Sequence, residues 1–454
     1  MKSISPSVRW IVLVIVSFVI ATNYYVYDAM SSIKSVMQTE LGFSNVDYGL
    51  IVSFYSFPNT FLLMAIFGGI ILDKWGIKKT GLLFVALCAV GAGVTAYGAT
   101  ETFSNGGFGF GMMNAILPDY SPQLKMMMLG RLLFGLGAET SIVVINKILV
   151  KWFKGKELAL AFAVNVAIAR LGTALALILS PVLIDSSYGW TFALWIAAVL
   201  MGVGLLFFII YLMFDASITR TSEEKESLLE SDEEFRWSDI TALLKNRSYI
   251  YVILLCVTFY SAVFPFQAYC PDLLHNKFGL SIDVSGTLTS LIIWGTIVFT
   301  PLFGFFVDRR GKRASLMLVG SALLVIVHLM LSMTSITPYV PMFVLGIAFS
   351  LVPAAMWPSV ALIVDERRIG TAYGMMASLQ NLGLWAFPIL AGYILDKTNP
   401  GINEEMIAQG ATYDYSWTVL MFAGLGVAGL FFAWMLRRED RSGTGFGLES
   451  AEVS

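Results

Sequence analysis

The feature that most constrains the fold is a succession of apolar runs of about 20 residues, the length a helix needs to cross a bilayer, separated by short polar joints. Twelve such runs are expected, near 9–29, 47–72, 80–98, 127–150, 158–184, 190–213, 249–272, 286–307, 314–334, 339–363, 371–395 and 416–436. With 57% hydrophobic and only 13% charged residues, the chain reads as an all-α, multi-pass membrane protein that meets the lipid bilayer along most of its length. A net charge of −2, with basic residues confined to short loops, argues against nucleic acid as a partner. Cys88, Cys256 and Cys270 all fall in or at the end of apolar runs, which offers neither a disulfide framework nor a CxxC metal pair. No metal and no cofactor are expected. The N-terminus has the charged start and apolar middle of a signal peptide, but no small-x-small cleavage site follows, so it is read as a retained first span.

Lysine and arginine set the expected orientation. With both termini cytoplasmic, the inner joints hold Lys74, Lys78, Lys79, Lys151, Lys154, Lys156, Arg309, Arg310, Lys312, Arg313, Arg367 and Arg368, against only Lys34, Lys125, Lys277 and Lys397 on the other side. The longest inner joint, polar and acidic, divides the spans into equal sets and predicts a bundle over 1–214, a cytoplasmic linker over 215–248 and a second bundle with a cytoplasmic tail over 249–454. The end of that linker suits a short helix on the membrane surface, with Ser238 as its N-cap before Ile240, Leu243 and Leu244. The outer joint over 99–125 contains "NGGFGFG"; with no preceding strand and no following Lys-Ser/Thr pair, it is read as a plain flexible loop.

An internal repeat supports the division. "GGIILDKWGIKKTG" and "FGFFVDRRGKRASL" occupy equivalent joints in the two sets, pairing Gly69, Asp73, Gly76 and Lys78 with Gly304, Asp308, Gly311 and Arg313. Each is a tight helix-to-helix turn in which glycine permits the reversal and the acid can face a helix N-terminus. The pair, with Arg309 beside Asp308, resembles the signature loop of the major facilitator superfamily, G-x-x-x-D-R/K-x-G-R/K-R/K, except that Ile77 replaces a usual base. "RLLFGLGAE" adds the superfamily's R-x-x-x-G-x-G pattern at Arg131, Gly135 and Gly137. The resemblance covers about residues 8–438 and implies the major facilitator fold: twelve transmembrane helices in two six-helix bundles that rock around a central site. The repeat residues, Arg131 and Gly135 are then expected to govern the conformational change. The glycine-rich G-P-x-x-G-G element of drug/proton antiporters does not occur in the fifth span, which demotes multidrug export.

Two charges interrupt the apolar runs. Glu139 in the fourth run and Arg170 in the fifth each lie about 15 residues from the intervening turn "WFKGKE", or about 23 Å along a helix, and so share one depth near the bilayer middle. Ionisable groups there are costly unless they are paired or face a watered cavity, which makes them candidates for a functional site. Three readings stay open: a structural salt bridge, a zwitterion held by guanidinium on its carboxylate and carboxylate on its ammonium, or proton coupling through Glu139. Glu139, Val143 and Asn146 share a helix face, and Thr173 follows Arg170 on its own.

The stretches "FYSFPNT", "GRLLFGLGAETS", "WFKGKELALAFA" and "ARLG" are similar to the lysosomal dipeptide-transporter branch of that superfamily, more closely in the first half of the chain than in the second. The resemblance implies that Glu139 and Arg170 bind the two ends of a dipeptide, the expected small-molecule substrate. Lysosomal members carry an N-terminal sorting dileucine and a glycosylated accessory subunit. Here the N-terminus is too short for the first, and the N-x-S/T at Asn246 falls on the predicted cytoplasmic side, so a monomeric bacterial inner-membrane relative without an accessory subunit is expected. Weaker cavity candidates are Tyr27 with Tyr24 and Asp28, Tyr55 with Asn59, Gln267 with Tyr260 and Phe264, Asn146, Asn381 with Trp385, and Trp294 and Trp357. Asp28 is read as close to the outer interface and Lys147 as snorkelling from the end of its span. An enzyme is not expected: the two histidines, His275 and His328, lie far apart, and no H-E-x-x-H or intramembrane aspartate pair accompanies them.

Overall fold

In a bilayer core the backbone must satisfy its own hydrogen bonds, and this chain does so with helices throughout. A computed structural model describes residues 6–219, 237–402, 406–407, 409–442 and 445–450; the acidic stretch 220–236 of the expected linker lies outside them. Among the described residues, eleven helices are long and apolar enough to cross a membrane. The first half of the chain runs α1 (Pro6–Asp28), α2 (Lys34–Leu41), α3 (Asn45–Phe54), α4 (Phe57–Phe61), α5 (Met64–Gly98), α6 (Glu101–Ser104), α7 (Phe110–Ala115), α8 (Pro122–Phe153), α9 (Leu158–Ile184) and α10 (Phe192–Thr219). The second half runs α11 (Trp237–Leu243), α12 (Arg247–Phe278), α13 (Ile282–Arg310), α14 (Arg313–Met333), α15 (Tyr339–Ile363), α16 (Ile369–Thr398) and α17 (Ser416–Arg441).

The remaining crossing is made of pieces. The expected continuous run over 47–72 breaks after Phe54 and again at Leu63, whose φ is 50°, so α3, α4 and the start of α5 together form it. Ser44 opens α3 with a reciprocal cap: its hydroxyl accepts the Asp47 N–H at 3.1 Å, and the Asp47 carboxylate accepts the Ser44 N–H at 3.0 Å. Pro58 stands in the first turn of α4, where its missing N–H costs no helical bond. Gly76 (φ 74°, ψ 170°) then divides α5 into two antiparallel parts. The neighbours prove the reversal. Before Gly76, Tyr55, Gly68 and Asp73 meet Gly135, Thr140 and Lys147 of α8, a parallel register; after it, a Cβ at Gly98 would meet Met126, and one at Gly137 would meet Phe84, an antiparallel one.

In the first half α1 packs on α9 and α10 while α5 packs on α8 and α10; in the second, α12 packs on α16 and α17, α13 on α15, and α14 on α15 and α17. Ser17 donating to Asn165 at 2.9 Å ties α1 to α9 inside the apolar interior. The halves meet along α3 with α16 and α9 with α13. Both described chain ends lie at one end of the bundle, where Arg9 pairs with Glu157 at 3.2 Å and the 445–450 segment returns to the α13–α14 turn. The end reached by Asp28, Phe278 and Thr398 is the far end.

Two joints differ from expectation. The surface helix α11 starts at Trp237, one residue ahead of the expected Ser238 cap, and is held by its buried Leu243 and by Arg368, 3.2 Å from Asp239. The 99–121 joint is not plain loop: α6 and α7 fold there around the fully buried Phe103, and Lys125 donates to the carbonyls of Ile116 (2.6 Å) and Leu117 (3.0 Å).

Candidate substrate site between the two halves

Helices α8 and α9 form a hairpin whose turn precedes Leu158, which brings Glu139 and Arg170 to one level. Both side chains are half-buried. Glu139 accepts a hydrogen bond from the Tyr55 hydroxyl at 3.1 Å. Tyr55 stands in the break between α3 and α4, and its backbone lies so close to α8 that a Cβ on Gly135 would sit 2.0 Å from the Tyr55 carbonyl oxygen. Gly135 therefore sets how near Tyr55 can come to Glu139. The Tyr27 ring meets Tyr55 edge-on at 4.6 Å, and the buried Arg131 guanidinium lies 5.5 Å from Tyr27, 5.6 Å from Tyr55 and 3.3 Å from the Val26 carbonyl.

Arg170 faces the other half of the chain. Its guanidinium lies 4.9 Å from the Phe349 ring, 5.9 Å from Phe264 and 5.7 Å from Tyr24. No ion pair joins it to Glu139: each charge is housed separately, one on a hydroxyl and one on aromatic faces. The shelf under Arg170 continues through Phe264, stacked on Tyr260 at 5.5 Å, to Trp357, whose indole N–H donates to the Tyr260 hydroxyl at 2.9 Å. The structure thus gathers Tyr27, Tyr55 and Glu139 on one side, and Arg170 and Trp357 on the other.

Gln267 is buried and donates to Asp28 at 3.0 Å, while Thr173, one turn beyond Arg170, donates to the same carboxylate at 2.7 Å. Asp28, the last residue of α1, is thus buried and tied to both halves of the chain. Asn146 is half-buried on α8. Asn381 is buried, with its amide N–H bonded to Ala377 at 3.0 Å and its Oδ1 unpartnered; Trp385 meets Phe61 edge-on at 5.0 Å, with its indole N–H unpartnered. Trp294, expected at the cavity, sits instead on an exposed apolar stripe of α13 with Val298, Leu302 and Phe305, a face suited to lipid.

At the repeat turns, Asp73 pairs with Lys147 at 2.7 Å, so Lys147 has a partner where snorkelling was expected. Gly76 and Gly311 both hold positive φ, 74° and 64°. Gly68, rather than Gly69, makes the close approach: its Cβ would lie 2.5 Å from the Thr140 hydroxyl, whereas Gly69 and Gly304 have open space beside them. Lys78, Asp308 and Arg309 are exposed, Arg309 lying 4.2 Å over the Phe305 ring, and Arg313 is buried. Sequence reasoning missed Glu449, whose carboxylate accepts the Ser315 N–H and hydroxyl, each at 2.7 Å, capping α14 at the second turn.

Among the described residues, the succession of membrane-length helices and the duplicated turns define the architecture of a membrane carrier. The chain belongs to the Major Facilitator Superfamily, whose profile matches residues 13–281 and 266–452. It is 30% identical to the lysosomal dipeptide transporter MFSD1 of Bos taurus, over 86% of this chain and 80% of that protein. Similarity to the hexuronate transporter of Bacillus subtilis is 22%, covering 88% of this chain and 91% of that one. In structure it resembles a bacterial homologue of the human lysosomal transporter Spinster, with a TM-score of 0.70 at 14% identity over 96% of this chain and 98% of the other. The protein is an integral, multi-pass membrane transporter that handles a small-molecule substrate within the membrane.

Proposed function

We propose that the transporter carries small zwitterionic peptides, dipeptides foremost, with Arg170 gripping the C-terminal carboxylate and Glu139 meeting the N-terminal ammonium. The observation that carries this reading is that an acid and a base at one depth, on adjacent helices, are not paired with each other. A purely structural bridge would join them, since an isolated charge inside a membrane protein is costly. A guanidinium lying over aromatic faces suits the planar, two-point grip on a carboxylate. The likeness to a transporter named for lysosomal dipeptides supports the same substrate class. The aromatic shelf of Phe349, Phe264, Tyr260 and Trp357 offers apolar contact to varied side chains, so recognition by the peptide's ends implies breadth.

In this reading residues 1–214 and 249–454 are two bundles joined by a linker over 215–248, and they rock about the site in a monomer. The turn residues around Asp73 and Asp308, with Arg131 and Gly135, pace that motion. Both termini face the cytoplasm on the lysine and arginine asymmetry of the joints, and the membrane is taken to be a bacterial inner membrane. A thermal-shift screen tests the substrate class. Dipeptides with free ends should raise the apparent stability while single amino acids, sugars and hexuronates leave it unchanged; the reverse pattern contradicts the reading.

A further inference from the structure

Among the described residues, hydrogen bonds and an ion pair that join the two halves gather at the far end, whereas the ion pairs Asp73 with Lys147, Lys151 with Asp215, and Arg368 with Asp239, at the end carrying the termini, run within a half. At the far end the Lys34 ammonium lies 2.7 Å from the Asp272 carboxylate, with side-chain exposures of 0% and 3%. The Tyr415 hydroxyl donates to the same carboxylate, and Gln38 accepts from Lys34 at 2.8 Å. Four tyrosine rings surround the ammonium: Tyr413 at 5.2 Å, Tyr48 and Tyr269 at 5.8 Å, and Tyr415 at 6.0 Å. Lys34 and Tyr48 come from the first half, while Asp272, Tyr269, Tyr413 and Tyr415 come from the second. The cage therefore exists only when the halves are in contact there.

We propose that Lys34 and Asp272 are the lock of the far end, an ion pair that holds the carrier in the state closed there and open toward the termini, and that must be hydrated and parted in every transport cycle. The contacts around it share the load. Asp396 accepts the side-chain amide of Asn45 at 2.7 Å and the N–H of Val46 at 3.0 Å, and Tyr48 donates to the Ala268 carbonyl at 2.8 Å. Those contacts are neutral on at least one side and exchange readily for water. The Lys34–Asp272 pair is different, because removing one partner leaves a bare charge in a dry cage, which closure does not tolerate. Cation–π contact with four rings further favours the ammonium inside the closed cage over any half-open arrangement. This role does not depend on which molecule is carried.

Ser32 supplies a reporter two residues from Lys34. It is 3% exposed, and its hydroxyl lies 2.9 Å from the position of a Cβ on Gly286 of the other half. In full-length protein with Cys88, Cys256 and Cys270 changed to alanine, Ser32→Cys should react slowly with a maleimide. Adding Lys34→Met should raise that rate about tenfold or more, as the far-end-open population grows. Tyr415→Phe, which removes only a hydroxyl from the cage, should raise it less but in the same direction, and it decides the matter if Lys34→Met does not fold. Unchanged labelling in a folded Lys34→Met carrier, or in Tyr415→Phe where that variant must decide, overturns the lock.

Discussion

Gly135→Ala isolates the link between helix packing and the candidate site. The added Cβ would stand 2.0 Å from the Tyr55 carbonyl oxygen, where real contacts do not fall below 3.0 Å, so α8 and the α3–α4 break must part by about 1 Å. The Tyr55 hydroxyl reaches Glu139 at 3.1 Å, and a shift of that size takes the bond out of range. A hydrogen bond to a charged group is worth about 1.5–3 kcal/mol, which converts to about 10- to 100-fold in affinity if Glu139 must be held to meet an ammonium. Overpacking itself costs about 1–3 kcal/mol of stability. Gly137→Ala is the control: its Cβ would lie 2.4 Å from the Phe84 carbonyl, a slightly milder backbone clash on the side of α8 that does not touch Tyr55. Calorimetric titration of a free dipeptide into both variants, alongside thermal unfolding, reads the two effects separately. Similar losses of stability with weak binding only in Gly135→Ala support the reasoning. Wild-type affinity in a folded Gly135→Ala variant refutes it.

Three further outcomes follow from the geometry. Phe349→Ala removes the nearest ring beneath Arg170, 4.9 Å away, and should weaken dipeptide binding about 2- to 30-fold by the usual worth of a cation–π contact, measured by the same titration. Asp73→Asn loses the exposed pair with Lys147 and should slow uptake into liposomes while leaving dipeptide affinity within a few-fold, because the turn lies far from the site. Glu449→Ala uncaps α14 at Ser315 and should cost about 1 kcal/mol of stability, read as a lower unfolding midpoint with binding unchanged.

Much of the architecture is legible in one sequence because a bilayer imposes a length on every crossing. Runs of apolar residues place the helices, and the duplicated D-x-x-G turns place the halves. Glu139 and Arg170 stand out for the same reason: equal distances from a shared turn fix a shared depth. The break in the second crossing was only half legible. Pro58 marks the start of α4, but nothing local distinguishes Leu63, which adopts a positive φ. The sequence places Lys34 in a joint on the sparsely charged side, yet it is among the most buried charges of the described residues, held by Asp272, 238 residues away. Lys125 and Lys277 are likewise tied down by backbone carbonyls. Residue type and local spacing do not report a pairing that only tertiary structure creates. Trp294 is exposed on α13, and a tryptophan in a span suits lipid as well as a cavity, so its type alone does not place it.

The measurement that bears most directly on the central claim is a set of calorimetric titrations with one dipeptide in three forms: free, N-acetylated and C-amidated. Wild-type protein, Arg170→Lys and Glu139→Gln are compared with each. If Arg170 grips the carboxylate and Glu139 the ammonium, each mutation should weaken the free peptide about 10- to 100-fold. Arg170→Lys should add little further loss for the amide, because the planar fork has no carboxylate left to hold, and Glu139→Gln should add little for the acetylated peptide. Losses that are the same whichever end is blocked would contradict the assignment and leave Glu139 and Arg170 as structural or coupling charges.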